Sequence, residues 1–405
     1  MIKVLILLFQ FCALMTINAQ NKIVLSNTNI IDGISMFEKK NMMVFISNGK
    51  IESIKKAGSK YKGYYLVDLK GMYLLPGFID AHTHIRSLDA AKRALESGVT
   101  TTRSASTPYF QDVSIREMVK SGALVGPDMI AAGVFVTPNL GETILADIRL
   151  KDLFGGVNNE DELRKVVQVN AERGVDFIKT RGTERAGLPQ TDPRKQTYTE
   201  SQLKIIVDEA KKFNIPVMAH AHGDEGGYAA VKAGVKSIEH GTYLTERTLK
   251  LMKRMDTFLV PTFTTVVDLT QPGGDYDDPV LIIRGQHMLP SLEKTIKMAY
   301  KMGIKIATGA DTGYGPNSTT RVGMEITNFV NLGMKPINAI QSATIIGAEL
   351  LGIANKTGTI SIGKEADLIV VTSNPLNDIR TIQDVVFVMS NGKIGLNRLP
   401  FEKDN

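Results

Sequence analysis

The chain of 405 residues contains no tryptophan, one cysteine and only six histidines. The lone cysteine, Cys12, lies in the apolar stretch at the start of the chain. Without that stretch the chain can form no disulfide and do no thiolate chemistry, so an oxidising location carries no risk of mispairing. There is no dense Lys/Arg run of the kind that tracks nucleic acid, and the net charge of +6 is mild for this length. Neither a triplet nor a heptad repeat is visible, which excludes collagen-like and coiled-coil architectures. Disorder is excluded as well, because 43% of the residues are hydrophobic and no long stretch lacks them. What is present is an ordinary globular composition, and the length allows two or three domains, or one large α/β barrel carrying a smaller companion.

The longest N-terminal apolar run, Val4 to Leu14, is too short to span a bilayer comfortably. It follows Lys3 and is followed by Ile17-Asn18-Ala19, so residues 1–19 read as a signal peptide cleaved before Gln20. Phe9-Gln10-Phe11-Cys12 is a poor lipoprotein box, so no stable membrane anchor is expected. The mature chain is then exported, periplasmic or secreted; the competing reading is an uncleaved N-terminal anchor.

Residues 20–75 read as short strands joined by turns, among them Asn48-Gly49-Lys50, because Asn-Gly readily takes the positive φ angles of a tight hairpin. The same texture returns in residues 353–405, where Asn391-Gly392-Lys393 repeats the turn. Two β-rich ends around a long insert predict a small β-sandwich domain assembled from both termini. Between them, in residues 76–352, apolar runs alternate with amphipathic stretches. Strands are predicted at Phe78–His84, Thr100–Ala105, Asp128–Val136, Phe177–Thr180, Pro216–His222, Ser237–His240, Thr257–Thr262 and Lys305–Asp311. Helices are predicted over Asp161–Arg173, Glu200–Phe213, Glu225–Ala233, Pro290–Met302 and Arg321–Leu332. Eight strands alternating with helices predict a (β/α)8 TIM barrel. The rival, a doubly wound open sheet, would carry a glycine-rich phosphate turn after its first strand, and His82-Thr83-His84 stands there instead.

Five of the six histidines, His82, His84, His220, His222 and His240, fall at predicted strand C-termini; only His287 is placed elsewhere, in a loop or at a helix start. Residues i and i+2 of a strand face the same way, so His82 and His84 point together into the lumen, where barrel enzymes keep their sites. Paired imidazoles suit a borderline cation such as Zn²⁺. Asp311 closes the last predicted strand and Lys179 ends the fourth. Lys179 as a carbamate would be an anionic bridging ligand; a snorkelling side chain or a substrate-binding ammonium are the plainer alternatives.

At this point the chain resembles the amidohydrolase superfamily, in particular its imidazolonepropionase-like and Xaa-Pro dipeptidase-like (prolidase-like) group. The resemblance rests on Pro76-Gly77-Phe78-Ile79-Asp80-Ala81-His82-Thr83-His84, Gly98-Val99-Thr100-Thr101-Thr102-Arg103, Val175-Asp176-Phe177-Ile178-Lys179, Ala219-His220-Ala221-His222-Gly223 and Ile238-Glu239-His240-Gly241-Thr242-Tyr243-Leu244. It extends to Gly358-Thr359-Ile360 and Gly363-Lys364-Glu365-Ala366-Asp367-Leu368, and so spans nearly the whole mature chain. It implies that His82, His84 and Asp311 hold one metal ion and His220 and His240 a second. Carboxylated Lys179 would bridge the pair beside a hydroxide. Two Zn²⁺ per chain are expected, with Mn²⁺ or Co²⁺ as substitutes. Asp311 would be both ligand and catalytic proton shuttle in hydrolysis of a C–N bond. A single-metal deaminase or cyclic-amide hydrolase is the alternative.

The predicted partner is a small molecule, such as a dipeptide or N-acyl amino acid, with self-association into a homo-oligomer left open. His222 is expected to touch substrate or to make an orienting hydrogen bond. Arg181 and Arg185 are candidates to grip a carboxylate, against the plainer reading of solvated surface arginines. Tyr243 resembles a tyrosine that relatives turn toward substrate. Prolidase-like relatives often carry an Asp after the second-strand Arg, a Gly-Gly-His run and a Thr-Gly-Gly run. Here the matching stretches read Arg103-Ser104-Ala105, Thr137-Pro138-Asn139-Leu140-Gly141 and Thr180-Arg181-Gly182-Thr183, so dipeptide cleavage is not simply inherited. The acid- and glycine-rich segment Asp268 to Asp278 is expected to be a solvent loop, with a lid or a calcium loop as alternatives.

Overall fold

The computed structural model describes residues 22–399, so the expected signal peptide, Cys12 included, lies outside the described residues. The two chain ends meet in one eight-stranded sheet. Its strands are β1 (Lys22–Ile30), β2 (Lys39–Ser47), β3 (Lys50–Lys56), β4 (Tyr65–Asp68), β5 (Tyr73–Pro76), β13 (Leu368–Val371), β14 (Val385–Ser390) and β15 (Lys393–Asn397). They run in the order β15-β14-β13-β5-β1-β2-β3, with β4 on β1. The join between the two ends is the antiparallel pair β5–β13, in register from Leu368 opposite Pro76 to Val371 opposite Tyr73. Both Asn-Gly turns form as the sequence predicts, with φ of 51° and 76° at Asn48 and Gly49 and 51° and 75° at Asn391 and Gly392. They touch each other glycine to glycine. A Cβ on Gly392 would stand 2.5 Å from the Gly49 Cα, so the second position of this turn has no room for a side chain.

The central region contains two parallel sheets. One holds β6 (Phe78–Thr83), β7 (Val99–Ser104) and β8 (Asp128–Ile130). The other holds β9 (Ile178–Arg181), β10 (Val217–Ala221), β11 (Ser237–His240) and β12 (Phe258–Val260) in sequential order. Irregular segments connect them on both sides. Residues 305–312 bond to β12 through Leu259 N–Lys305 O at 3.0 Å and to β6 through Asp311 N–His82 O at 2.8 Å. Residues 131–136 reach β9 through Asp176 N–Ala131 O at 2.8 Å and Val136 N–Lys179 O at 2.9 Å.

The expected strands Asp128–Val136 and Lys305–Asp311 are therefore shorter as ladders than their apolar pattern implies. Beyond Ile130, side chains take over the backbone donors: the Asp112 carboxylate accepts from Ala132 N and Gly133 N, and the Asn170 amide oxygen from Val134 N. Beneath the strand ends, Ile79, Ala81, Phe177, Met218, Phe258 and Val260 form a separate buried apolar cluster that floors the site.

Helices lie where the amphipathic stretches predict them, at Glu160–Glu172, Glu200–Lys212, Asp224–Ala233 and Val322–Asn331. One differs in length. The helix expected at Pro290–Met302 begins at Pro279, because the Asp278 carboxylate caps it by accepting from Val280 N and Leu281 N, and Pro290 sits inside it. His287 is consequently in mid-helix, not in a loop or at a helix start.

Candidate metal centre

Four strands of the central region, β6, β9, β10 and β11, deliver the candidate site residues on or just past them. His82 lies on β6 with His84 one residue beyond it, Lys179 lies on β9, His220 on β10 with His222 just beyond, and His240 ends β11. Simple alternation would send neighbours Glu239 and His240 to opposite faces. His240 instead adopts a left-handed backbone with φ of 74°, and both side chains reach His82. The Glu239 Oε2 is 2.7 Å from His82 Nδ1, and the His240 and His82 ring centroids are 5.0 Å apart. Thr262 and Asp311, at φ of 48° and 46°, are turned the same way. Left-handed backbone at three non-glycine residues around one cluster is strain retained where side-chain aim matters.

Two donor groups result. In the first, Asp311 Oδ1 lies 3.4 Å from His82 Nε2 and 3.1 Å from His84 Nε2. In the second, His220, His222 and His240 present ligand atoms within 4.8 Å of one another, and Asp311 Oδ2 is 4.0 Å from His240 Nδ1. Lys179 is buried with its Nζ 3.4 Å from His82 Nε2.

Every histidine has one ring nitrogen tied to the protein. His82 Nδ1 meets Glu239, His84 Nδ1 the Ser106 carbonyl at 2.9 Å, and His220 Nε2 the Glu184 carbonyl at 3.0 Å. His222 Nδ1 meets Thr242 Oγ1 at 2.8 Å and His240 Nδ1 meets Thr262 Oγ1 at 2.7 Å. One nitrogen per ring is left for a cation, which is the arrangement a metal-binding histidine needs.

The electrostatics agree. Burial pushes His82 down to about 4 and His222 to about 3, and holds His220 and His240 well below the ordinary value, so all four are neutral donors at pH 7. Burial acts against ionisation of Asp311, but His82, His84 and Lys179 outweigh it and keep the carboxyl far below its usual range. Burial pushes the Lys179 amine down to about 7. Glu239, although buried, is held at about 2 by Arg103 and His82. Arg103 donates to Glu239 Oε1 at 2.8 Å, to Ser237 Oγ at 3.0 Å and to the Ala81 carbonyl at 2.7 Å, tying three strands together under the histidines.

A cavity of about 610 Å³ opens over these groups. His222 and Arg185 line it, as do Phe135, Arg86, Arg93 and Tyr276, none of which periodicity or motif had singled out. His222 is also stacked on His240 at 4.5 Å, so geometry gives it the same claim on a cation as His220 and His240. Arg181 is not among the cavity-lining residues. Its guanidinium lies over the Phe135 ring at 4.5 Å, its Nε lacks a partner among the described residues, and burial with Arg185 nearby pushes it down to about 9. Tyr243 does not line the cavity either; its hydroxyl is 3.2 Å from His287 Nδ1 on the long helix. The segment from Asp268 to Asp278 is the last turn of the helix Phe263–Leu269 followed by a loop, whose Asp275 and Tyr276 face the cavity.

The chain is similar to known proteins over most of its length. The amidohydrolase family model matches residues 73–395. Ochratoxinase from Aspergillus niger is 28% identical over 363 residues, covering 79% of this chain and 75% of that one. Imidazolonepropionase from Thermoanaerobacter pseudethanolicus is 22% identical over 81% of this chain and 83% of its own. Among solved structures, a Xaa-Pro dipeptidase with methionine bound in its active site superimposes with a TM-score of 0.83 at 28% identity, over 92% of this chain and 99% of that one.

Proposed function

Because the chain belongs to the amidohydrolase family, a family of enzymes that hydrolyse C–N bonds, we propose that it cleaves an amide or peptide bond in a small substrate such as a dipeptide or N-acyl amino acid, using two divalent cations. The observation behind this is the pair of donor groups that share Asp311 on the floor of one cavity, each histidine with one nitrogen already committed. Two groups and a buried lysine favour this over single-metal deaminase or cyclic-amide chemistry. Mixed imidazole and carboxylate donors suit Zn²⁺, with Mn²⁺ or Co²⁺ as substitutes. The central region reads as a (β/α)8 barrel and the terminal strands as a β-sandwich. The Lys3 to Ala19 pattern supports an exported mature enzyme.

His82, His84 and Asp311 would hold one ion and His220 and His240 the other, with His222 on the same side. Bound there, the ions would acidify a water molecule and polarise the substrate carbonyl. The remaining chemistry belongs to the chain. Lys179, were its uncharged amine to form an N–C bond to carbon dioxide with release of one proton, would supply an anionic carbamate as a further ligand. Asp311, ionised in spite of burial, takes the proton of the attacking water and delivers it to the departing amine nitrogen. Arg185 lines the cavity and has no ion pair among the described residues, which supports its assignment as the group that receives a substrate carboxylate.

The test is a dipeptide and N-acyl amino acid library assayed on protein reloaded with zinc, with and without bicarbonate. About two ions per chain, chelator-sensitive turnover and loss of turnover in Asp311→Asn are expected. Full turnover by Asp311→Asn on every substrate found would refute the scheme.

A further inference from the structure

The cavity holds a phenol donor, on Tyr276, that has no part in holding the cations or carrying the proton. Tyr276 lines the cavity together with His82, Lys179 and Asp311. Among the described residues its hydroxyl has no hydrogen-bond partner, so the donor of this cavity-lining residue is not committed elsewhere. Tyr243, the tyrosine that the sequence put forward, is by contrast engaged with His287.

The loop bearing Tyr276 is fastened on three sides. The Asp268 carboxylate accepts from Asp275 N at 2.8 Å. Asp275 accepts from Ser318 Oγ at 2.6 Å and Thr320 Oγ1 at 3.3 Å, in the loop that follows Asp311. The ring lies on the backbone of Gly187, where an added Cβ would stand 2.8 Å from Tyr276 Cε1. The loops after β9 and after residues 305–312 are thereby joined across the cavity through this segment. A ring so seated is rotationally restricted, and a donor fixed before the reaction costs no reorganisation when charge develops. A phenol is protonated at neutral pH, so the O–H is there to donate.

We infer that Tyr276 is a catalytic residue whose phenol O–H donates a hydrogen bond to the scissile carbonyl oxygen as that oxygen gains negative charge, an assignment that rests on the C–N hydrolase reading of this cavity. No proton is transferred: the O–H bond stays intact and only the hydrogen bond strengthens. Such a donor is stronger toward the transition state than toward substrate, so its removal acts on kcat more than on KM.

Tyr276→Phe keeps the ring on Gly187 and removes only the hydroxyl. With the best substrate from the library, and metal content measured on the same preparations, we expect unchanged metal loading, KM within about twofold and kcat lower by roughly 100-fold. Gly187→Ala, which displaces the ring without altering its chemistry, should lower kcat by a smaller factor with the metals retained. An unchanged kcat in Tyr276→Phe, or a rise in KM alone, overturns the assignment while leaving the hydrolase intact. If the unaltered enzyme hydrolyses no C–N bond in the library, the functional reading fails and the role of Tyr276 falls with it.

Discussion

The Glu239 carboxylate and the His82 imidazole form a buried pair 2.7 Å apart, and the far oxygen of the same carboxylate meets Arg103 at 2.8 Å. Glu239 thus fixes which nitrogen of His82 is turned to the candidate metal site, through a carboxylate–histidine contact of the kind that raises ligand basicity. Arg103 compensates the charge that Glu239 brings inside. Neither residue lies on the cavity wall, so both act through His82.

Glu239→Gln keeps the shape and removes the charge. It should weaken zinc binding at the His82–His84–Asp311 group by about 10- to 100-fold. Stability should also fall, by about 3 kcal/mol, because the Arg103 guanidinium is left buried without its counter-charge. Zinc titration of the apo-protein and urea unfolding, run side by side, separate the two effects. Unchanged zinc affinity in a folded variant would show that His82 is held by packing alone.

Much of this was legible in the sequence because histidine is scarce and strand ends are easy to find. His-x-His on β6 and the two histidines of Ala219-His220-Ala221-His222 follow from two-residue periodicity, and both Asn-Gly turns from positive φ. His240 was legible only as a residue at a strand end. Its inward aim depends on a left-handed backbone that periodicity cannot foresee, and with it went the role of Glu239, one position earlier. Tyr276 and Phe135 were missed because a lone aromatic in a loop carries no periodic signal. The extent of the strand after Asp128 was misjudged because Asp112 and Asn170, from distant helices, satisfy the backbone that a neighbouring strand would otherwise bond.

Away from the site, Glu209 binds two helices of the central region. It accepts from Arg164 at 2.6 Å, Gln168 at 2.8 Å and Lys212 at 2.7 Å, with its own side chain nearly buried. Burial pushes the carboxyl up, but Lys212, Gln168 and Arg164 outweigh it and bring it down to about 2 from an ordinary 4.5. A depressed folded-state value means that the unfolded chain takes up the proton first. The stabilisation is complete above pH 4.5 and is lost as pH falls toward 2. Glu209→Gln should therefore cost about 1–2 kcal/mol at pH 7, discounted for the exposure of Lys212, and progressively less below pH 4.5. Urea midpoints for both proteins from pH 7 to pH 3 measure the gap; a gap that is constant over this range would rule out the carboxylate as its source.

Arg284, on the long helix Pro279–Met302, donates to four backbone carbonyls of one loop. Its Nη1 meets Ala186 O at 2.5 Å and Leu188 O at 2.6 Å, and its Nη2 meets Pro189 O at 3.0 Å and Thr191 O at 2.6 Å. The planar fork of a guanidinium can satisfy four acceptors at once, which an ammonium on a flexible stem cannot. Ala186, Gly187 and Leu188 line the cavity, and Gly187 is the seat of the Tyr276 ring, so the clamp sets the shape of the cavity from outside it. Arg284→Lys keeps the charge and loses the fork. It should leave zinc content unchanged, raise KM by about 3- to 10-fold, equivalent to roughly 1 kcal/mol of lost positioning, and speed proteolytic cleavage within residues 186–191. Limited proteolysis with mapped cleavage sites, alongside steady-state kinetics, tests both arms. Protection equal to that of the parent enzyme would mean that the loop holds its conformation through the Asp192–Glu184 and Thr191–Arg185 contacts within it, and that Arg284 follows the loop without shaping it.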